Sequence, residues 1–142
     1  MQENILVDLN IILDVLLERT GFEASKKILE LGEGNSYKLY LSAHLVTTFA
    51  YLLEESKVPL KQIEAYINWL LGTFNIVAVD NLILKNALKS RIEDYEDAVV
   101  EQTAILCKAP TIITRNVKDF KMSAISALAP EEYLKPPTSS SK

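Results

Sequence analysis

The sequence is poor in cysteine and glycine and has no hydrophobic run long enough to cross a bilayer. Its one cysteine, Cys107, cannot form an internal disulfide and leaves no cluster for zinc. The 4 glycines form no glycine-rich phosphate loop. The N-terminus lacks the basic segment followed by an apolar segment that marks a secretory signal. We therefore expect a cytoplasmic protein that does not insert into membranes.

What the sequence does contain is typical of one ordinary globular domain. It has 142 residues, of which 49% are hydrophobic and 24% are charged. The formal net charge of -4 argues against wholesale electrostatic binding to nucleic acid, but it leaves room for a local basic rim around an acidic centre. The final residues, rich in Pro and Ser, are typical of a disordered end. We expect one domain over residues 1–134 and a disordered tail over 135–142.

Strand-like and helix-like periods alternate along the chain. Short apolar strands are predicted at residues 4–8, 38–41, 74–79 and 111–114, with helical spacing between them. After Asp119 the pattern predicts only a small apolar stretch over 125–128 and a helical turn over 130–134. Alternation of this kind requires crossover connections and predicts an α/β fold with three layers, a mainly parallel central sheet between helices. In such sheets ligands bind at the C-terminal edge of the strands.

Three aspartates are predicted to lie at that edge. Asp8 follows the first strand, Asp97 begins a helix after an acidic turn, and Asp119 lies just beyond the strand that ends in Thr114. Mutual repulsion would raise the pKa values of such a group unless a hard cation lay between them, and Mg²⁺ or Mn²⁺ prefers oxygen ligands. An open site of this kind suits attack by a metal-activated water on a phosphodiester, which predicts a nuclease.

The segments around these aspartates resemble a known family. Val7 to Asp14 (VDLNIILD), Glu96 to Ala98 (EDA) and Ile112 to Phe120 (IITRNVKDF) are similar to the acidic motifs of the PIN domain, a family that includes the VapC-type ribonuclease toxins of prokaryotes. The resemblance spans about residues 6–134 and keeps the motifs in order. It implies a three-layer α/β/α fold, cleavage of single-stranded RNA with Mg²⁺ or Mn²⁺, a small antitoxin partner and a homodimer.

The resemblance also assigns roles by position. Asp8, Asp97 and Asp119 would be the catalytic and metal-binding acids, and Asn10 would orient Asp8. Asn10 also stands where a helix N-cap is expected. By the same resemblance Thr114 and Asn116 would be supporting polar side chains. The residues themselves suggest further members of the site. Asp94 lies three positions before Asp97, so both could face one side of a helical turn, and Arg115 and Lys118 flank the Asp119 segment, as a rim that guides phosphate would require.

One position departs from the family pattern. PIN domains commonly have a Glu on the helix after the second strand, and this chain has Thr48 there. Thr is a poor Mg²⁺ ligand, so the site would hold three acids rather than four unless Asp94 or Asp14 compensates. The alternative function is therefore a catalytically weakened PIN-like binding module. A phosphoacceptor or nucleotide-binding α/β domain is disfavoured because no glycine-rich phosphate loop is present.

Each of these acids also has a purely structural explanation. Asp8 could simply end a strand, Asp97 could complement a helix dipole, and Asp119 could be a loop acid. His44, the only histidine, is expected to be solvated or to cap a helix. The aromatic residues at helical spacing favour packing, or a partner surface, over base stacking: Tyr51, Tyr66 and Trp69.

Overall fold

The structure is a computed structural model, and it describes residues 2–136. The tail predicted over 135–142 lies outside the described residues from position 137 onward. In chain order the elements are β1 (Glu3–Val7), α1 (Leu9–Leu17), α2 (Phe22–Leu31), β2 (Tyr37–Ser42), α3 (Ala43–Glu55), α4 (Leu60–Thr73), β3 (Asn75–Val77), α5 (Asn81–Ala87), α6 (Tyr95–Leu106), β4 (Thr111–Ile113), a 3₁₀ turn (Val117–Phe120), β5 (Ser126–Leu128) and α7 (Pro130–Leu134).

The five strands form one parallel sheet in the order β3-β2-β1-β4-β5. The central strand is β1, whose Leu6 pairs with Tyr40 of β2 on one side and with Ile112 of β4 on the other. The C-terminal part of β1 is a continuous apolar run because helices cover the sheet, and Ile5, Leu6 and Val7 have no exposed surface. The predicted α/β fold with a parallel sheet between helices is confirmed.

The sequence pattern placed several element ends differently from the structure. The strand predicted over 74–79 spans only Asn75–Val77, and the helix after it, α5, ends at Ala87, so that Ile92 lies beyond the helix. Ile92 is nevertheless buried, so its apolar character reflects packing from a loop. The apolar stretch near residue 125 forms a fifth strand, β5, which the pattern did not identify as one. It has only three residues, none of them fully buried, which leaves little alternation to detect.

The helices pack in groups that hold the C-terminal edge of the sheet. Helix α2 contacts α1 and α7, α5 contacts α6, and α6 also contacts β1 and β4. Among the described residues, no helix is both long enough and apolar enough to span a membrane. Helix α6 packs against the central strand β1 and its neighbour β4.

Helix α1 begins with Asp8 as its N-cap, not Asn10. The Oδ1 atom of Asp8 accepts a hydrogen bond from the backbone N–H of Leu9 at 2.8 Å. The sequence pattern placed the helix start too late, because an aspartate directly after the strand can itself cap the first turn. The side chain of Asn10 is consequently free to bond elsewhere.

An ion-pair network around Arg115 joins α1, α2 and α7. The guanidinium donates to Oδ2 of buried Asp14 at 2.7 Å, to the carbonyl of Gly21 at 2.7 Å and to Oε1 of Glu131. Ser25 also donates to Asp14, at 2.9 Å. The network satisfies a carboxylate that would otherwise be buried without a partner.

Gly21 is required at the entrance to α2. Its φ of 86° lies in the left-handed region, and a Cβ there would approach Nη2 of Arg115 to 3.0 Å. We expect Gly21→Ala to lower the free energy of unfolding by about 1–2 kcal/mol, because both the backbone and the guanidinium must adjust. Urea denaturation measures this, with Gly34→Ala as the control, since a Cβ at Gly34 meets nothing within 4 Å. Equal midpoints for the two variants would contradict the expectation.

Candidate active site

Asp8 lies at the C-terminal end of the central strand with both carboxylate oxygens engaged. Oδ1 accepts from Leu9 N–H, and Oδ2 accepts from the hydroxyl of Thr114 at 2.8 Å. The side chain is nearly inaccessible to solvent. Burial raises the pKa of Asp8, while these hydrogen bonds oppose the rise by stabilising the carboxylate. The end of β1 thus holds a fixed carboxylate at the start of helix α1.

Asn10 and Thr114 fix this carboxylate in one orientation. The amide nitrogen of Asn10 lies 3.3 Å from Asp8 Oδ2 and 3.3 Å from Thr114 Oγ1, and its Oδ1 accepts from the backbone N–H of Arg115 at 3.0 Å. Thr114 Oγ1 also accepts from the backbone N–H of Asn116 at 3.0 Å. These contacts join the segment after β1 to the segment after β4, so the two strand ends position one carboxylate together.

Asp97 lies in the first turn of α6, where Asp94 is the N-cap. Asp94 Oδ1 accepts from the backbone N–H of Asp97 at 3.0 Å, which fixes the turn that presents Asp97 to the sheet edge. The acidic segment before the helix therefore has a structural reason as well as a possible chemical one. Asp94 is itself exposed and contributes its negative charge to the same region.

Asp97 and Asp119 line a common cleft of about 540 Å³. Asp119 is exposed on the 3₁₀ turn after β4. The cleft wall also carries three basic side chains, which are Arg91, Lys118 and Lys121. An acidic floor with a basic rim is suited to a polyanion whose phosphate must approach carboxylates.

The charges of the acids act on one another. The pKa of Asp97 is raised to about 7, first by burial and then by the negative charges of Asp94, Asp8, Asp119 and Glu96. Asp97 is therefore the point at which acids from three separate segments of the chain come within electrostatic range. A neighbouring cation would relieve this repulsion and favour the ionised form.

The donor set fits a hard divalent cation, although the acids do not close around a single point. Within residues 2–136, no three acidic, histidine or cysteine side chains are close enough to form a preformed metal cluster. Mg²⁺ commonly binds through one or two carboxylates and keeps several waters, so it does not need such a cage. The oxygen-only donors and the repulsion centred on Asp97 are what that cation would require.

Comparison with known proteins agrees with this geometry. The family described as "PIN domain" matches residues 4–118, which is most of the chain and includes the strand end at Asp8 and the start of α6. This chain belongs to the PIN domain family. PIN domains are usually nucleases and generally use divalent metal ions. No curated protein matches the chain.

Solved structures that are similar to this chain include a toxin–antitoxin complex and two VapBC proteins. A toxin–antitoxin complex from Klebsiella pneumoniae is 25% identical, with a TM-score of 0.66, over 88% of this chain and 96% of that one. VapBC2 from Rickettsia felis, bound to a promoter DNA fragment, is 18% identical with a TM-score of 0.71 over 89% and 98% of the two chains. VapBC-1 from nontypeable Haemophilus influenzae is 18% identical, with a TM-score of 0.69, over 89% of this chain and 98% of that one. The last two similarities show the fold alone.

The contacts of Arg115 differ from those expected of a residue that guides phosphate. Its guanidinium is paired with Asp14 and Glu131, which neutralise its charge and turn it towards α2 and α7. The prediction that Arg115 guides phosphate therefore loses its physical basis, and we assign Arg115 to the structural network. Asp14 likewise is buried in that network and cannot compensate for a missing acid. Lys118 remains exposed on the cleft wall.

Sequence reasoning missed Glu96 as a residue of this site. Its Oε2 accepts a hydrogen bond at 2.9 Å from the hydroxyl of Thr48, the residue at which the chain departs from the common PIN pattern. Its charge also acts on Asp8 and Asp97. His44 was expected to be solvated or to cap a helix; its Nε2 is buried, and its Nδ1 lies 2.6 Å from Oγ of Ser42, the N-cap residue of α3. The position of Glu96 next to Asp97 was the available signal.

Proposed function

We propose that this PIN domain is a metal-dependent endoribonuclease that hydrolyses phosphodiester bonds in single-stranded RNA and acts as the toxin of a toxin–antitoxin pair in the cytoplasm. The observation that carries the proposal is that Asp97 and Asp119 line one cleft, with the buried Asp8 within electrostatic range of Asp97. Asp8 and Asp94 also cap helices, but capping does not require acids from three separate segments to lie so near one another, because unrelieved repulsion between carboxylates destabilises the fold.

The proposed roles follow from the position of each side chain. Asp8, Asp97 and Asp119 would hold Mg²⁺ or Mn²⁺, with Asp8 kept in place by Thr114 and Asn10. When bound, such a cation would supply an activated water and would neutralise charge on the phosphodiester. Asn116 and Asp94 support the two segments that carry Asp119 and Asp97, through the backbone contacts at Thr114 and at the start of α6.

The substrate assignment depends on the open cleft and its basic rim. Lys118, with Arg91 and Lys121 on the same wall, can bind phosphates on either side of the scissile bond. Asp97 and Asp119 line this cleft, and a single strand could bring one phosphate to them without an opposite strand alongside it. The rim attracts the phosphates, and the acid centre would accept them only through a cation.

The proposed partners are a small antitoxin and a second copy of the chain. The solved relatives from Klebsiella pneumoniae and Haemophilus influenzae are a toxin–antitoxin complex and a VapBC protein by their descriptions. This chain exposes several large apolar side chains on its helices: Leu60, Leu71, Leu82 and Leu88. Exposed apolar surface of this kind is typical of protein contact sites.

The direct test is cleavage of a labelled single-stranded RNA by protein stripped of metal with a chelator. We expect no cleavage until Mg²⁺ or Mn²⁺ is added. Asp119→Asn should then lower the rate by about 100-fold or more, because it removes a proposed metal ligand and phosphate neutralisation depends on the cation. Asp119 is exposed and its side chain makes no hydrogen bond among the described residues, so the variant should fold normally.

The matched control is Glu33→Gln. Glu33 is also exposed, but it lies just before β2, at the opposite edge of the parallel sheet. It should leave the rate unchanged. RNA that stays intact with either cation would contradict the nuclease proposal, and RNA bound without cleavage would support the alternative of a weakened binding module. Equal rates for the two variants would remove Asp119 from the site.

A further inference from the structure

Glu96 projects from the first turn of α6 towards helix α3. Its carboxylate accepts a hydrogen bond from Thr48 at 2.9 Å, although the two residues lie 48 positions apart. The Thr48 hydroxyl has a second acceptor within reach, the carbonyl of His44 at 3.2 Å. A hydroxyl carries one proton, and the shorter bond to an ionised oxygen is the stronger of the two. Helix α3 therefore holds Glu96 through its side chain.

A second group of α3 lies against the same residue. His44 is half-buried, with Nδ1 bonded to the buried Ser42 hydroxyl and Nε2 without a hydrogen-bond partner in the part of the chain that the structure describes. Burial lowers the pKa of His44, while the nearby carboxylate and backbone of Glu96 act in the opposite sense. The imidazole thus lies beside Glu96, on the side of helix α3.

Glu96 also belongs electrostatically to the acid centre. Its negative charge acts on Asp8 at the end of β1 and on Asp97, the next residue along α6. Adjacent residues on a helix point about 100° apart, so Glu96 and Asp97 approach the acid centre from different sides. The Thr48 hydrogen bond fixes the Glu96 carboxylate on the side of helix α3.

We propose that Glu96 is the fourth carboxylate of the metal centre, held by Thr48 at the place where the common PIN pattern has a glutamate on helix α3. The inference rests on the proposed function, since it assigns one more residue to the same cation. It explains the departure at Thr48 as a relocation: the acid comes from α6, and α3 contributes the hydroxyl that orients it. Thr48 is then a positioning residue.

Mn²⁺ affinity of the full chain in the absence of RNA tests this, by calorimetry and by the electron paramagnetic resonance signal of free Mn²⁺. We expect Glu96→Gln to weaken binding by about 10-fold or more, and Thr48→Val, which removes only the hydroxyl, by about 3-fold. Glu96→Asp keeps the charge but shortens the side chain, so it should also weaken binding. Glu33→Gln is the control for charge, because Glu33 is an exposed acid just before β2, at the opposite edge of the sheet, and does not line the cleft.

If Glu96 takes the place of an acid on helix α3, an acid introduced on α3 should compensate for the loss of Glu96. In a Glu96→Gln background, Thr48→Glu should restore most of the lost Mn²⁺ affinity, whereas a purely structural role for Glu96 predicts no restoration. Equal affinities for Glu96→Gln and Glu33→Gln would overturn the inference. If Asp97→Asn weakens binding while Glu96→Gln does not, only this inference fails. If no variant differs from the unmodified chain, or that chain binds no Mn²⁺, the proposed function fails with it.

Discussion

Asp97→Asn should make the metal-free protein more stable at about pH 8 while removing its metal-dependent cleavage of RNA. The pKa of Asp97 is raised to about 7, so its ionised form is disfavoured in the folded state by burial and by four neighbouring carboxylates. Asparagine has nearly the same shape without the charge. Because Asp97 is partly exposed, we expect a gain on the order of 1 kcal/mol after solvent screening, or about 3 °C in Tm.

The sign of this stability change depends on whether the folded or the unfolded state binds the proton of Asp97 more tightly. For Asp97 the folded state binds it more tightly, since the pKa of Asp97 in the folded protein lies above its ordinary value of 3.8. Its contribution is therefore most favourable below the unfolded pKa and is lost as the pH rises from about 4 to about 7. The stability gain of Asp97→Asn should be small at about pH 4 and should reach its full value above about pH 7.

Thermal denaturation across this pH range, in the presence of a chelator, measures the effect. Adding Mn²⁺ should raise the Tm of the unmodified protein and leave that of Asp97→Asn nearly unchanged, because binding to the folded state stabilises it by mass action. Cleavage by the variant should fall by about 100-fold or more. A variant that is less stable than the unmodified protein above about pH 7 would show that Asp97 serves the fold rather than the cation.

Arg115→Ala should destabilise the protein more than any other single change at the periphery of the site. It removes the principal partner of Asp14, whose side chain is 6% exposed, together with donors to Gly21 and Ser25. Breaking a buried ion pair on one side leaves an uncompensated charge. We expect a loss of about 3 kcal/mol, or about 10 °C in Tm.

Chemical denaturation of matched variants separates this network from a simple loss of surface charge. Arg19 also pairs with Asp14, but at 3.6 Å and with a side chain that is 45% exposed, so Arg19→Ala should cost only about 0.5 kcal/mol. Arg115→Lys keeps the charge but not the fork of donors, and it should fall between the two. An Arg115→Ala midpoint close to that of Arg19→Ala would refute the structural role and reopen the phosphate-guiding one.

The fold could be predicted from the sequence because the buried strands are recognisable by their apolar residues. Strand β1 is apolar on both faces, as a strand covered by helices must be, and the aspartate that follows it marks the edge of the sheet. Order and spacing then limited the remaining acids to the same edge. These are local features, readable without knowledge of distant contacts.

The contacts that decide individual roles could not be predicted in this way. Nothing local distinguishes Arg115, which is bound to residues about 100 positions earlier, from Lys118, which faces the cleft. Glu96 was read as part of the motif around Asp97, since its contact with Thr48 depends on how α3 and α6 are oriented. Strand β5 was missed because three half-exposed residues at the sheet edge form no detectable period.

The central position of β1 has a consequence for biosynthesis. Asp8 is synthesised well before Thr114, whose hydroxyl fixes it from 106 residues further along the chain. Strand β4 must be translated and inserted beside β1 before the two strand ends can meet, and pairing across so long a separation is slow. A nascent chain therefore keeps Asp8 apart from Thr114 and Asp119 until β4 and the turn after it have been made.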